Sequence, residues 1–541
     1  MINLKNKNVL VMGLGLVGGG LGVTKWLYRQ GAKITITDLR NKKTLAPTLK
    51  KLKGLNIKYV LGRHRKRDFE RTDLVIKNPG VAINSPYLKI AQKNHVPVET
   101  DLSLFLKLWP GRVIAITGTK GKTTTAHLAY QMLKSTHLPV NLAGNVGQTP
   151  LQFIRNSYTR PVKYQFGEYS RIIKYGHLNN SIPASNFKLS NGVNKKFVIS
   201  SQIMVLELSS FQLEAIKPHF HIAAITNIYP DHLNRHKTMQ NYINIKTNIF
   251  KYQTANDFTI LNYDNKNLKA VIKKTTGRLV LFSQKISNLL PKCYALFYIK
   301  KDAVFLKTKK INERVVSLKK IKLPGKHNLE NILAGVAIAY LSGIKKSIIQ
   351  KTITNFAGMP NRLELVRIIK GVKYYNDTTA TNPGAAIAAL KALGQSDQLI
   401  GNKNISPRLE PEAHQPWAET RPLRQSDSEA SLERENIVLI CGGADKNLNF
   451  NELSLEIKKT CKQVIMLSGA ATPRFIQTLK RVKYPSKNIT EFDNFKKAIY
   501  FAKKIAENGD VVLLSPACAS FGMFANEFDR GKQFVKIVKK L

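Results

Sequence analysis

The sequence predicts an α/β protein with parallel sheets in more than one domain, and three observations carry that reading. Short apolar runs followed by amphipathic stretches recur along the 541 residues, as in strand–helix alternation. Two of these runs end in glycine-rich turns that open a helix, at Gly13–Gly18 and Gly118–Gly121. The length also exceeds that of one ordinary domain and leaves room for several cores.

The first segment opens with "NVLVMGLGLVG", a buried-strand run leading into Gly13-x-Gly15-x-x-Gly18. A helix-like stretch follows through Gln30, and a second strand, "AKITITD", ends on Asp38. That acid stands about 20 residues on, where a ribose-binding carboxylate is expected. Alone, the pattern reads as a nicotinamide dehydrogenase or as a tight turn without a ligand. Such a loop recognises a phosphate at a helix N-terminus and does not reveal which nucleotide carries it.

The second segment opens at Gly111 with "VIAITGTKGKTTT". Val113–Ile116 reads as a buried strand, and the small-residue turn leads into the amphipathic "AHLAYQMLK". The strict phosphate-loop pattern G-x-x-x-x-G-K-[ST] requires a glycine where Ile116 stands. A shortened loop still makes an anion cradle from backbone N–H groups, Lys122 can reach outer phosphates, and the Thr123 hydroxyl suits Mg²⁺. The plainer reading is a Gly-Thr turn with a solvated lysine. Further strands deliver Glu207 and Ser209 in "MVLELSSFQLE", and Asn227, Asp231, His232 and His236 in "IAAITNIYPDHLNRH". Strand C-terminal ends are where open α/β sheets bind ligands. A hard cation prefers the carboxylate, and His232 alone serves as readily as a structural hydrogen bonder.

The third segment starts near Gly358 with "GMPNRLELV" and runs through "YYNDTTATNPGAAIAAL", "IVLICGGADKN" and "VVLLSPACASFGMFANEFDRG". It places Asp377, Lys446 and Ser520 near predicted strand ends. Two stretches fall outside the packed pattern: Ser157–Ser200 is polar and aperiodic, and Ser396–Asn436 is rich in Pro, Ser and Glu. Such compositions bury too little apolar area to offset ordering entropy, so both are expected to be flexible insertions.

Lys and Arg total 86 against 34 Asp and Glu, a formal charge of +52 that favours anionic partners. The cations are spread along the chain without a basic arm or basic-aromatic module, so a general composition bias is favoured over nucleic-acid binding. Cys293, Cys441, Cys461 and Cys518 show no C-x-x-C spacing, which fits a reducing cytoplasm and suggests neither zinc nor a disulfide framework. The glycine density of "VLVMGLGLVGGGLGV" argues against a signal peptide. No apolar run reaches the roughly 18 residues of a membrane span.

Taken in order, "GLGLVG", "TGTKGKTTT", "GNVG", "LELSSFQLE", "DHLNRH", "PGKHNLENILA", "MPNRLELV", "NDTTATNP" and "LSPACAS" resemble the Mur ligases. Within that family they are most similar to the branch that adds D-glutamate to UDP-N-acetylmuramoyl-L-alanine. The family's ATP loop looks like G-T-x-G-K-[ST], which accounts for the shortened turn. The resemblance implies three domains: a UDP-binding Rossmann-like domain over 1–109, a central phosphate-loop-like ATPase domain over 110–357, and a C-terminal Rossmann-like α/β domain over 358–541. It further implies an ATP-dependent amide ligase of peptidoglycan synthesis, cytoplasmic and monomeric, working through an acyl phosphate.

By the same resemblance, Gly15, Leu16, Asp38, Arg40 and Asn145 hold the UDP-substrate. Gly118, Thr119, Lys120, Gly121, Lys122, Thr123, Thr124, Asn328, Asn331, Arg362 and Asp377 hold ATP. Thr381, Lys446, Ser520 and Phe528 hold D-glutamate. Lys122, Glu207, His232 and Lys246 are implied as catalytic. Two Mg²⁺ ions are implied, with Thr123, Glu207, His232 and a carbamylated Lys246 as ligands. One departure stands out: where this branch commonly reads N-D-S-K-A-T-N, the chain has Thr379 in place of the lysine.

Overall fold

The computed structural model describes residues 3–16, 18–135, 139–145, 149–154, 202–285, 293–319, 321, 323, 326–356, 358–394, 436–445, 448–520 and 522–541. The expected insertion at 157–200, all but the last residue of the one at 396–436, and Lys446 lie outside them. The chain forms two compact units, residues 1–317 with 330–352, and residues 318–329 with 353–541.

The first unit holds two sheets. β1 (Asn8–Met12), β2 (Lys33–Asp38), β3 (Ile57–Leu61), β4 (Leu74–Lys77) and β5 (Val98–Glu99) form an all-parallel sheet in the order β3-β2-β1-β4-β5. Four of the five residues of β1 are buried, as a strand covered on both faces requires. Val9, Val11, Ile34, Ile36 and Ile76 face Val23, Trp26 and Leu27 of the helix Gly19–Arg29. Leu10, Met12 and Val75 face the other way, onto Phe69, Leu88 and Ala91.

The second sheet comprises β6 (Arg112–Thr117), β7 (Val140–Gly144), β8 (Ile203–Glu207), β9 (Ile222–Ile225), β10 (Phe258–Asn262), β11 (Arg278–Ser283), β12 (Ala295–Lys300), β13 (Ala303–Lys307) and β14 (Asn312–Ser317). Its order is β14-β13-β12-β11-β10-β9-β6-β8-β7, so β6 lies between β8 and β9 and its C-terminal end is flanked by both.

The second unit carries β15 (Glu364–Ile369), β16 (Val372–Asn376), β17 (Ile437–Gly442), β18 (Cys461–Leu467), β19 (Ile489–Phe492) and β20 (Val511–Leu514) in the order β15-β16-β20-β17-β18-β19. Its core places Cys441, Cys461 and Cys518 among Leu439, Met466 and Leu513. All four cysteines are free thiols.

The expectation of parallel sheets needs one correction. β12, β13 and β14 pair antiparallel, as do β15 and β16. The reason is local: turns this short cannot provide the crossover that parallel strands need. Between β15 and β16, Lys370 (φ 47°) and Gly371 (φ 77°) both adopt the left-handed backbone of a two-residue hairpin turn. Among the described residues no helix is long and apolar enough to cross a membrane.

Candidate active site

The second sheet's principal turn is built at the end of β6, where Gly118–Gly121 leads into the helix Lys122–Lys134. Two of its glycines are obligatory. A Cβ on Gly118 would meet Thr226 Oγ1 at 1.9 Å, and one on Gly121 (φ 82°) would meet Asn331 Oδ1 at 2.0 Å. The neighbouring strand end fixes the turn from the side: Thr119 N donates to the Asn227 carbonyl (2.9 Å), Lys120 N to Asn227 Oδ1 (2.9 Å), and Thr226 Oγ1 to the Lys120 carbonyl (2.6 Å). Thr123 and Thr124 follow in the first helical turn, half-buried.

Two lysines converge on one carbonyl of this turn. Lys122 Nζ donates to the carbonyls of Gly118 (3.0 Å) and Thr119 (3.1 Å), and Lys246 Nζ donates to the same Gly118 carbonyl (2.9 Å) and to Thr117 Oγ1 (3.4 Å). Lys246 comes from the helix Met239–Thr247 and is 1 % exposed. Its ammonium lies 4.8 Å from the ring centroid of Tyr242, one helical turn earlier. Burial, and then the Lys122 charge, push the Lys246 pKa down to about 7, with Asp231 partly offsetting them. Lysine is almost never buried without a charged partner, so this amine is placed at a cost.

Glu207 ends β8 and is 2 % exposed. Its Oε1 accepts from Asn145 Nδ2 (3.1 Å), while Oε2 is buried without a hydrogen-bond donor among the described residues. A buried carboxylate oxygen left in this state is costly unless something else satisfies it. Asn145 N donates to the Glu207 carbonyl (2.8 Å), which ties the "GNVG" turn to the same point. His232 has a left-handed backbone (φ 52°), its half-exposed ring 3.6 Å from Asp231 Oδ2 and 5.1 Å from the ring of Phe211. His236 is buried, with Nε2 3.0 Å from Ser210 Oγ. Among the described residues no three His, Cys, Asp or Glu side chains form a ready metal cage. The orphaned Glu207 oxygen and the Thr123 hydroxyl nevertheless have the hard-oxygen chemistry that Mg²⁺ prefers. Asn331 lies against Gly121 and is buried, as is Asn328.

In the first sheet, the Gly13–Gly18 turn sits between β1 and its helix, and Asp38 works as an internal brace. Asp38 Oδ2 accepts from Leu14 N (2.9 Å) and Gly15 N (3.2 Å), Oδ1 accepts from Arg40 N (2.9 Å), and Arg40 Nη1 stands 3.9 Å away. Asp38 is 5 % exposed, whereas Leu16 is 50 % exposed.

In the second unit, Asp377 follows β16 and is buried, accepting from Leu363 N (3.2 Å) and Ser515 Oγ (2.9 Å). Burial raises its pKa to about 7, with those two bonds and Arg362 opposing the shift. Thr379 donates its hydroxyl to the Asn361 carbonyl (2.9 Å), so the residue replacing the branch's usual lysine serves the turn itself. Thr381 is half-buried and Ser520 buried. Phe528 lies in the first turn of the helix Glu527–Val538 and is 50 % exposed.

Sequence reasoning named one contributor without its role and passed over two others. Asn227 was visible only as a strand-end residue, yet it anchors two N–H groups of the β6 turn. Tyr242 was signalled by its i,i+4 spacing to Lys246. Arg530 carried no signal at all: it is fully buried, and its guanidinium donates to Thr378 Oγ1 (3.0 Å) and the Thr378 carbonyl (3.0 Å).

A strand, a glycine turn gripping a lysine, and a helix start together define a phosphate-loop α/β enzyme. Residues 116–339 match the Mur ligase middle domain, and residues 7–100 match the MurD-like N-terminal domain of Mur ligases. The chain is 36 % identical to the UDP-N-acetylmuramoylalanine–D-glutamate ligase of Roseiflexus sp. (strain RS-1), with 99 % of each chain covered. It is 33 % identical to the ligase of the same name from Thermoanaerobacter sp. (strain X514), with 100 % of each covered. In fold it is similar to the UDP-N-acetylmuramate–alanine ligase of Thermotoga maritima, at TM-score 0.53 and 17 % identity over 99 % of this chain and 100 % of that one. It is also similar to MurF of Acinetobacter baumannii, at TM-score 0.52 and 12 % identity over 99 % and 92 %. The chain belongs to the Mur ligase family, whose members are ATP-dependent, amide-forming ligases.

Proposed function

We propose that this chain joins D-glutamate to UDP-N-acetylmuramoyl-L-alanine at the expense of ATP, in the assembly of peptidoglycan precursors. The observation that carries the reading is full-length similarity to D-glutamate ligases, together with the Lys122–Gly118–Lys246 arrangement at the β6 turn.

A carboxylate is a poor electrophile, so one of its oxygens must leave as phosphate. The alanyl carboxylate attacks the γ-phosphorus of ATP and ADP departs. The D-glutamate amine then attacks the acyl phosphate through a tetrahedral intermediate, losing a proton as phosphate leaves. Phosphoryl transfer depends mainly on alignment and charge neutralisation. Lys122, leaving the loop carbonyls for phosphate oxygens, supplies both. Mg²⁺, held by Thr123, Glu207, His232 and Lys246, would add charge neutralisation of the phosphates. Lys246 fits that set only after its neutral amine adds CO₂ and releases a proton, which gives a carbamate anion. A pKa near 7 leaves a large neutral fraction for that step.

The remaining assignments follow the same reading. Gly15, Leu16, Asp38, Arg40 and Asn145 serve the UDP-substrate; Asn328, Asn331, Arg362 and Asp377 complete the ATP site; Thr381, Lys446, Ser520 and Phe528 receive D-glutamate. The domains are 1–109, 110–357 and 358–541, the enzyme is a monomer, and it works in the cytoplasm. Family membership displaces a dehydrogenase role for the first glycine turn.

The test is phosphate release by the purified chain given ATP, UDP-N-acetylmuramoyl-L-alanine and single amino acids. Turnover is expected with D-glutamate. Turnover with another amino acid and none with D-glutamate would overturn the assignment.

A further inference from the structure

The chemistry above uses the C-terminal end of the nine-stranded sheet; the opposite end holds a cavity of about 450 Å³. Val113, near the start of β6, forms part of its wall. The phosphate turn lies at the far end of that strand, roughly 15 Å away at about 3.3 Å per residue. The volume is in the range of small-molecule sites.

The wall is of two kinds. Leu106, Trp109, Ile216 and Pro218 give it an apolar side. Trp109 is fixed there by a tilted contact with Phe105 (ring centroids 5.2 Å) and by Nε1 donating to the Arg112 carbonyl (3.4 Å). The polar side is nitrogen-rich, with Lys107, Lys217, His219 and His221 and no carboxylate among the lining residues. Lys107 is paired with Glu99, and His219 Nε2 lies 2.9 Å from Asp257 Oδ2. Lys217 is exposed and has no acidic partner among the described residues. His221 Nδ1 accepts from Val113 N (3.2 Å), so its neutral ring must carry the proton on Nε2 and act as a donor. The cavity thus combines an apolar wall that includes the Trp109 indole with a donor and the exposed Lys217, while the adjoining Glu99 and Asp257 are engaged by Lys107 and His219.

We propose that this cavity is a second ligand site, separate from the phosphate turn, for small amphiphilic carboxylates with a planar apolar body. The apolar body packs on Trp109, Leu106 and Ile216, and the carboxylate meets Lys217 and the histidine edge. Nothing in this proposal requires the ligase reading, since it concerns binding alone.

The experiment is isothermal titration of the full chain with 2-naphthoate and, as the uncharged isostere, 2-naphthamide. The acid is expected to bind saturably at one site and at least about ten-fold more tightly than the amide. Lys217→Glu, at an exposed position, should weaken the acid by about ten-fold and leave the amide unchanged. Ala215→Phe, which fills the cavity, should remove both. Excess ATP should leave naphthoate binding intact. Equal affinity for acid and amide, displacement by ATP, an unaffected Lys217→Glu variant, or no saturable binding would each overturn the site.

Discussion

The two glycine turns of the first unit share one backbone plan and are braced by opposite charges. At the end of β1, a carboxylate holds the turn: Asp38 Oδ2 accepts the N–H groups of Leu14 and Gly15. At the end of β6, two lysine side chains hold it through the Gly118 carbonyl, and Lys122 supplies the charge. The first turn has therefore spent part of its hydrogen-bonding capacity on an internal anion and suits a ligand of modest charge. The second has the Lys122 cation in place and suits a more strongly charged one. A glycine-turn signature gives the backbone plan; the neighbouring strands decide what it prefers.

The sharpest break of this contrast is at the cations. Lys122→Ala should lower kcat for phosphate release by about 10³-fold or more, in the range seen when a key charge is removed from phosphoryl transfer. The KM for the UDP-substrate should barely move. Parental turnover would remove the β6 turn from the chemistry.

Lys246→Ala should likewise abolish turnover, and bicarbonate should not restore it; retained activity would remove the carbamate. Lys246→Met offers a second readout, in stability. Between the folded pKa of about 7 and the unfolded value near 10.4, the unfolded chain binds more protons, so parental stability rises with pH across that window. The Met variant should melt above the parent at pH 7, with the gap closing towards pH 10. A gap independent of pH would show that this amine is not desolvated.

Smaller effects compare the turns directly. Gly121→Ala combines a left-handed backbone with a 2.0 Å approach to Asn331 Oδ1, and should raise the ATP KM by about 10²-fold. Asp38→Asn keeps one acceptor and loses the charge; it should raise the UDP-substrate KM by about ten-fold and leave that of ATP alone. Gly15→Ala should do least. Its Cβ would find only Asn78 Nδ2 at 3.8 Å, so it carries the left-handed backbone cost alone, about 1 kcal/mol, read in the melting temperature. If Gly15→Ala proves as damaging to its turn as Gly121→Ala is to the other, the comparison fails.

The strand–turn–helix units were legible because apolar runs and glycines are local signals, and β1, β6 and their turns fall where the sequence put them. The antiparallel β12–β14 and β15–β16 pairs were less legible, because strand direction depends on which neighbour a short turn presents. Lys246 reads as one solvated helix lysine among many; its burial is a tertiary fact, and only the family pattern singled it out. Glu207 was found as a strand-end acid, but its unsatisfied oxygen needs coordinates to be seen. Arg530 runs against every local expectation for an arginine, since its partner lies 152 residues earlier.

That separation bears on how the protein comes into being on the ribosome. Thr378 and its turn emerge long before the guanidinium that anchors them. The turn around Thr378 must therefore wait for this last brace until the helix Glu527–Val538 has been synthesised and docked.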